Sequence, residues 1–280
     1  MRGALGYVLK DVACQVSHKQ CDICFLKDIC PYQIIFWGSP PANRSILRRY
    51  PSIPQPFVLD VPSPGSWGDD PIRVKWALRL FGEAGRWSPY IVETFRRIAK
   101  RGIGPRRVPF SIDLIRDGNN GRVIWSDNNS NLTVPVMDPI PPSDQPLNGV
   151  VRWHFHTPLH LRVRGRSAQQ IEGMDIILAG RRRWQILTHM FGATTRPEIL
   201  ERLDHASFKV VNQQLRGWSI YRYSGRQKRK VRLSGLIGWV DIEGPWHRVG
   251  EWAQYVYRIH LGKNTSFGLG RVSWQQISIA

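Results

Sequence analysis

Apolar and polar residues follow two periods along this chain. From Ile72 to Leu80, the residues Ile72, Val74, Trp76, Leu78 and Leu80 alternate with Arg73, Lys75 and Arg79. That predicts a half-buried strand with a basic outer face. Ser88 and Pro89 read as the N-cap and first residue of a helix, Ile91, Phe95 and Ile98 repeat at helical spacing, and Gly102 is its stop. Strands are expected over 107–115 and 122–125. Val151, Trp153 and Phe155 alternate with Arg152, His154 and His156; after Pro158, Leu159, Leu161 and Val163 alternate with His160, Arg162 and Arg164. One long strand bent at the proline is the reading. A helix follows from about Ala168 to Phe191, in one piece or in two around Gly180. Strands at 218–223 and 231–242, a short helix at 245–257 and a last strand at 271–279 complete the pattern.

The second half thus reads β-α-β-β-α-β, the ferredoxin-like order within an α+β class. Residues 135–148 hold five prolines in fourteen positions, which forbids a helix and marks an extended linker. The expected domains are 1–134 and 149–280.

Charge sharpens the picture. The chain has 280 residues and a formal net charge of +19. Residues 1–150 carry +6 of this and residues 151–280 carry +13. Of the 40 basic residues, 31 are arginine. Arginine presents a planar fork that matches phosphate oxygens and stacks on bases, so a nucleic-acid partner is expected. No apolar run is long enough for a membrane helix, and the first residues lack the pattern of a signal peptide. A cytoplasmic protein that does not engage a membrane is the expectation.

Two segments concentrate phosphate-binding chemistry. From Arg216 to Arg232 there are seven basic residues and no acid, interleaved with Trp218, Tyr221 and Tyr223. A hairpin would place alternate members, among them Arg222, Arg226, Lys228, Arg229 and Lys230, on one face as a phosphate track. The second segment is His260–Trp274, HLGKNTSFGLGRVSW. Gly262, Gly268 and Gly270 flank the polar Lys263, Asn264, Thr265 and Ser266, and Arg271 follows. Such a loop brings backbone N–H groups and hydroxyl donors close to a phosphate. A further basic run, Arg181–Arg183, lies in the helical region.

With HLGKNTSFGLG, the chain resembles the CRISPR-associated endoribonucleases that process precursor CRISPR RNA, members of the RAMP superfamily. YSGRQKRK at Tyr223–Lys230, LSGLIGWV at Leu233–Val240, TPLHLRVRG at Thr157–Gly165 and GRRRWQIL at Gly180–Leu187 are similar to that family. So are RGALGYVLKDVAC and CPYQIIF near the start. The resemblance implies two ferredoxin-like domains in tandem. In the family the RGALG helix follows a first strand; this chain opens at Met1-Arg2-Gly3, so the first domain is expected to lack that strand or to begin internally. The hairpin and the glycine-rich loop are implied to hold the CRISPR repeat hairpin, with other Cas subunits of an effector complex as partners.

The resemblance also implies cleavage without a metal cofactor. The ribose 2′-hydroxyl attacks the adjacent phosphate, leaving a 2′,3′-cyclic phosphate and a 5′-hydroxyl. One group must take the 2′-proton and another must protonate the leaving oxygen. His18, after the first helix, is the candidate acid or base; Tyr7 orients the ribose or donates a proton; Lys19 offsets charge. Arg2 stands as an alternative, since some members use arginine. A non-catalytic RAMP subunit that only grips guide RNA shares the charge and the loop and is the second reading. A zinc-dependent DNA-binding regulator is a third, without a helix-turn-helix pattern to support it.

Four cysteines, Cys14, Cys21, Cys24 and Cys30, are spaced C-x6-C-x2-C-x5-C. Disulfides are not expected in the cytoplasm. Four thiolates can hold a structural zinc, His18 or water can replace one of them, and an iron–sulfur site or four reduced thiols are the other readings.

Overall fold

The computed structural model describes residues 1–16, 20–38, 53–60, 74–127, 149–192, 207–224, 228–249 and 251–277. The chain is α+β and divides into two units. One comprises residues 1–57, 80–140 and 189–193; the other comprises 58–79, 141–188 and 194–280. The proline-rich segment expected as a linker lies outside the described residues. No described helix is long and apolar enough to cross a membrane.

In the first unit, α1 (Arg2–Ala13) buries Leu5, Val8, Leu9 and Ala13, a stripe at helical spacing, and leaves Tyr7 exposed on the other side. It packs on α2 (Ser88–Arg101), where Ile91, Val92, Ile98 and Ala99 are buried. Arg101 of α2 pairs with Asp11 of α1 at 2.7 Å. Ser88 is helical and not an N-cap, because a 3-10 turn over Gly82–Trp87 leads straight into α2. The strand expected at 72–80 is shorter. It belongs to the second unit, where β2 (Ala77–Leu80) pairs with β1 (Phe57–Asp60), and Val74 is exposed before the strand begins. The strand expected from Arg107 is likewise confined to β3 (Leu114–Arg116), paired with β4 (Val123–Ser126). Residues 103–108 instead form a turn closed by a single Ile103–Val108 bridge, and Pro109 has no N–H for a ladder.

The second unit holds one four-stranded antiparallel sheet. Its elements are β5 (Val150–Leu159), a small β6 (Arg162–Val163) and β7 (Arg166–Ser167) hairpin, α3 (Gly173–Phe191), β8 (Lys209–Ser224), β9 (Arg229–Glu243), α4 (Val256–Ile259) and β10 (Val272–Ile277). The sheet order is β10-β5-β9-β8, the order of a ferredoxin-like fold, with the first and third long strands central and each crossover carrying helical structure. Val151, Trp153 and Phe155 of β5 face the core. Trp153 meets Trp246 and Trp252 at ring centroids of 5.5 and 6.1 Å. The bend expected at Pro158 falls inside β5 as a register irregularity between Phe155 and Leu159, after which β6 leaves to pair with β7. Helix α3 runs unbroken through Gly180, where a Cβ would sit 2.1 Å from the Trp252 ring. The glycine there is a packing residue and not a break. β8 is far longer than expected, because its polar first half, from Lys209, pairs with β9 along its whole length.

Candidate RNA interface

The glycine-rich loop is pinned to the end of β5. The Gly270 N–H donates to the Pro158 carbonyl at 3.1 Å, and Lys263 N–H to that of His160 at 3.0 Å. Leu261 N–H closes the loop on the Gly270 carbonyl at 2.8 Å. Thr157 joins both chains through one hydroxyl, which donates to Gly268 O at 2.8 Å and accepts from Arg271 N–H at 2.9 Å. Gly262 and Gly270 have φ of +74° and +70°, and a Cβ on Gly270 would lie 1.8 Å from Leu261 O. Only glycine fits so close an approach in that conformation. Asn264, at φ +65°, starts the 3-10 turn Thr265–Phe267.

Of the expected loop ligands, Lys263 is exposed and Arg271 is partly exposed. Thr265 and Ser266 are buried, so their hydroxyls belong to the packing of the loop instead of its outer surface. His260 is fully buried beneath the loop, with Nδ1 3.1 Å from Leu269 O and no hydrogen-bond partner on Nε2 among the described residues. Burial lowers its pKa to about 4, reinforced by Arg79 and Arg183 and opposed by Asp60, so the imidazole is neutral at pH 7. Asp60 also receives Arg79 at 2.7 Å and Arg271 at 3.3 Å, which ties the loop's arginine to a carboxylate.

The long hairpin projects from the same unit. Paired residues of an antiparallel ladder share a face. Tyr223 pairs with Lys230 and Tyr221 with Arg232, so one face carries two exposed tyrosines and two cations. The opposite face carries Arg216, Trp218, Ile220, Arg222 and Arg229. The register therefore divides the expected track over two faces. Arg222 stacks on Phe267 of the glycine-rich loop, its guanidinium carbon 4.4 Å from the ring centroid, so hairpin and loop touch here. Burial lowers the Arg222 pKa. Lys228 is exposed beside the turn; Arg226 lies outside the described residues.

The outer face of β5 is less free than its sequence suggests. Arg152 makes two bonds to Asp241, at 2.7 and 2.8 Å, and lies over Trp239. His154 and His156 stack with centroids 6.1 Å apart, and His156 Nε2 is 2.7 Å from Ser273 Oγ. Burial lowers both pKa values, with Arg152 adding to the effect at His154 and Arg271 at His156. His160 Nδ1 sits 2.9 Å from the Ser234 carbonyl. On this face Arg152 is thus committed to Asp241, and both imidazoles are shifted towards their neutral form.

In the first unit, Tyr7 is 70% exposed on α1. Arg2 lies over the Phe36 ring, 4.6 Å from its centroid. His18 and Lys19 lie outside the described residues.

Residues 153–272 match the family model of the CRISPR-associated endoribonuclease Cas6. Residues 1–137 match a second model, described as an N-terminal domain. Over residues 153–272 the chain is similar to the Cas6 endoribonucleases. Among solved structures, a Thermus thermophilus Cas6 product complex aligns over 98% of this chain and 92% of its own, at 14% identity and a TM-score of 0.57. A further Cas6 product complex aligns over 80% and 83%, at 17% identity and a TM-score of 0.45. At 14% identity the first of these is a likeness of fold. No curated protein sequence matches the chain.

Three residues at this site were not singled out in the sequence: Thr157 and Phe267, within residues 153–272, and Asp60 outside them. Thr157 stands within TPLHLRVRG, but nothing local says that its hydroxyl faces a loop 111 residues away.

Proposed function

We propose that this chain cuts precursor CRISPR RNA at the repeat stem-loop and holds the product for other Cas subunits. The observation that carries the reading is the glycine-rich loop of a region similar to Cas6, pinned to β5 and joined through Phe267 and Arg222 to a hairpin with a tyrosine-and-cation face. That face offers stacking platforms beside phosphate ligands, which suits RNA whose bases are unstacked near a stem.

The chemistry that fits is in-line transesterification. The 2′-oxygen forms a bond to phosphorus, the bond to the 5′-oxygen breaks, and a cyclic phosphate remains. The 2′-proton passes to a base, and an acid returns a proton to the 5′-oxygen. His18 is the residue assigned to proton transfer, with exposed Tyr7 orienting the ribose and Lys19 offsetting phosphorane charge. His260 is unsuited to it, being buried and neutral beneath the loop.

The test is incubation with the cognate repeat RNA in EDTA, followed by end-group analysis. A single cut leaving a cyclic phosphate supports the reading, and His18→Ala should abolish the cut while binding persists. Tight binding without a cut by the unaltered protein would replace it with the guide-gripping subunit.

A further inference from the structure

The loop that follows α1 has turns but no core. Residues 21–30 contain no strand or α-helix, and within them only Lys27 N–H to Cys24 O and Ile29 N–H to Leu26 O close backbone bonds. Ile23, Phe25 and Ile29 are 73%, 79% and 64% exposed. Hydrophobic burial therefore does not account for its order. Segments that cannot bury apolar surface are usually stapled by disulfides or metal.

The four cysteines all line one open cavity of about 260 Å³, together with Lys10, Gln33 and Trp87 among others. All four are partly buried and none forms a disulfide. The outer two stand on fixed ends: Cys14 caps α1, its N–H donating to Lys10 O at 2.9 Å, and Cys30 accepts from Ile34 N–H at 3.0 Å where the next helical turn begins. The inner two, Cys21 and Cys24, sit on the turn. Gln33, itself buried, anchors this turn by donating to the Cys21 carbonyl.

We propose that Cys14, Cys21, Cys24 and Cys30 bind one zinc ion as a tetrahedral thiolate site, which holds the 21–30 loop against the end of α1. The C-x2-C half-site lies on a turn, as such sites require, and the other pair is supplied by two helix ends. Among the described residues no three of the thiols stand at ligand spacing, so binding draws the sulfurs inward, to about 2.3 Å from the ion. Each ligating thiol loses its proton, and Zn²⁺ with four thiolates carries a charge of about −2. Lys10, within hydrogen-bonding reach of Cys21, offsets it.

The test uses the full chain, purified without chelator, and does not depend on RNA cleavage. Elemental analysis should find one zinc per chain, released when a mercurial titrates the thiols. Cobalt(II) added to metal-free protein should give the visible bands of a tetrahedral thiolate complex, bleached by an equivalent of zinc. Cys21→Ser with Cys24→Ser should lose the metal; should that variant fail to fold, the cobalt spectrum of the unaltered chain decides. Folded protein with four freely titrating thiols and no cobalt bands would overturn the proposal, and so would stoichiometric iron and sulfide or a disulfide mass shift.

Discussion

Replacing Thr157 by valine keeps the shape of the side chain and removes its oxygen. That oxygen makes two bonds, at 2.8 Å to Gly268 O and 2.9 Å from Arg271 N–H. A net hydrogen bond contributes about 0.5–1.5 kcal/mol, and an orphaned buried group costs at least as much. The Gly268 carbonyl lies in a buried part of the loop, so Thr157→Val should cost about 1–3 kcal/mol. Valine leaves no cavity, so none of that cost comes from packing. Urea unfolding should show a lower midpoint at an unchanged slope, since the exposed surface does not change. Thr157→Ser restores both bonds and should recover most of the loss. Because the clamp fixes the loop beside Arg222, RNA affinity measured by fluorescence anisotropy should fall for valine and return for serine. A valine variant with the parent's midpoint and the parent's affinity would refute the clamp.

Gly180→Ala should destabilise by about 1–3 kcal/mol in urea unfolding, against the roughly 1 kcal/mol that alanine normally gains over glycine in a helix, because its Cβ meets the Trp252 ring. Tyr221→Ala and Tyr223→Ala should each weaken single-stranded repeat RNA by about 1–3 kcal/mol if a base stacks there, whereas Lys230→Ala should flatten the dependence of log K on log salt by about 1. Stability should also fall in acid. The folded pKa of His260, about 4, lies below its ordinary 6.5, so the unfolded chain binds a proton first. Stability is then full above pH 6.5 and drops by about 2 kcal/mol on going to pH 5. His260→Asn, which tolerates the positive φ and can still donate to Leu269 O, should remove that part of the pH dependence in urea titrations at pH 8 and pH 5.

The ferredoxin-like order of the second half was legible because period-two runs such as 151–155 depend only on which face meets the core. The helix at 88–101 was legible from its apolar spacing, its proline and Gly102. The glycine-rich loop was legible as a motif, since positive φ at Gly262 and Gly270 admits little else. What tertiary structure decided was which polar groups spend their bonding inside the protein. Arg152 looks like a phosphate ligand until Asp241, 89 residues away, takes both its nitrogens. Thr265 and Ser266 look like donors until the loop buries them. The basic hairpin looks like one track until its register sends Tyr223 and Lys230 to one face and Arg222 to the other. Residue type fixes what a group can bond, and local spacing fixes the side of an element it occupies. Whether it is free to bond RNA depends on partners that only the folded chain brings within 3 Å or so.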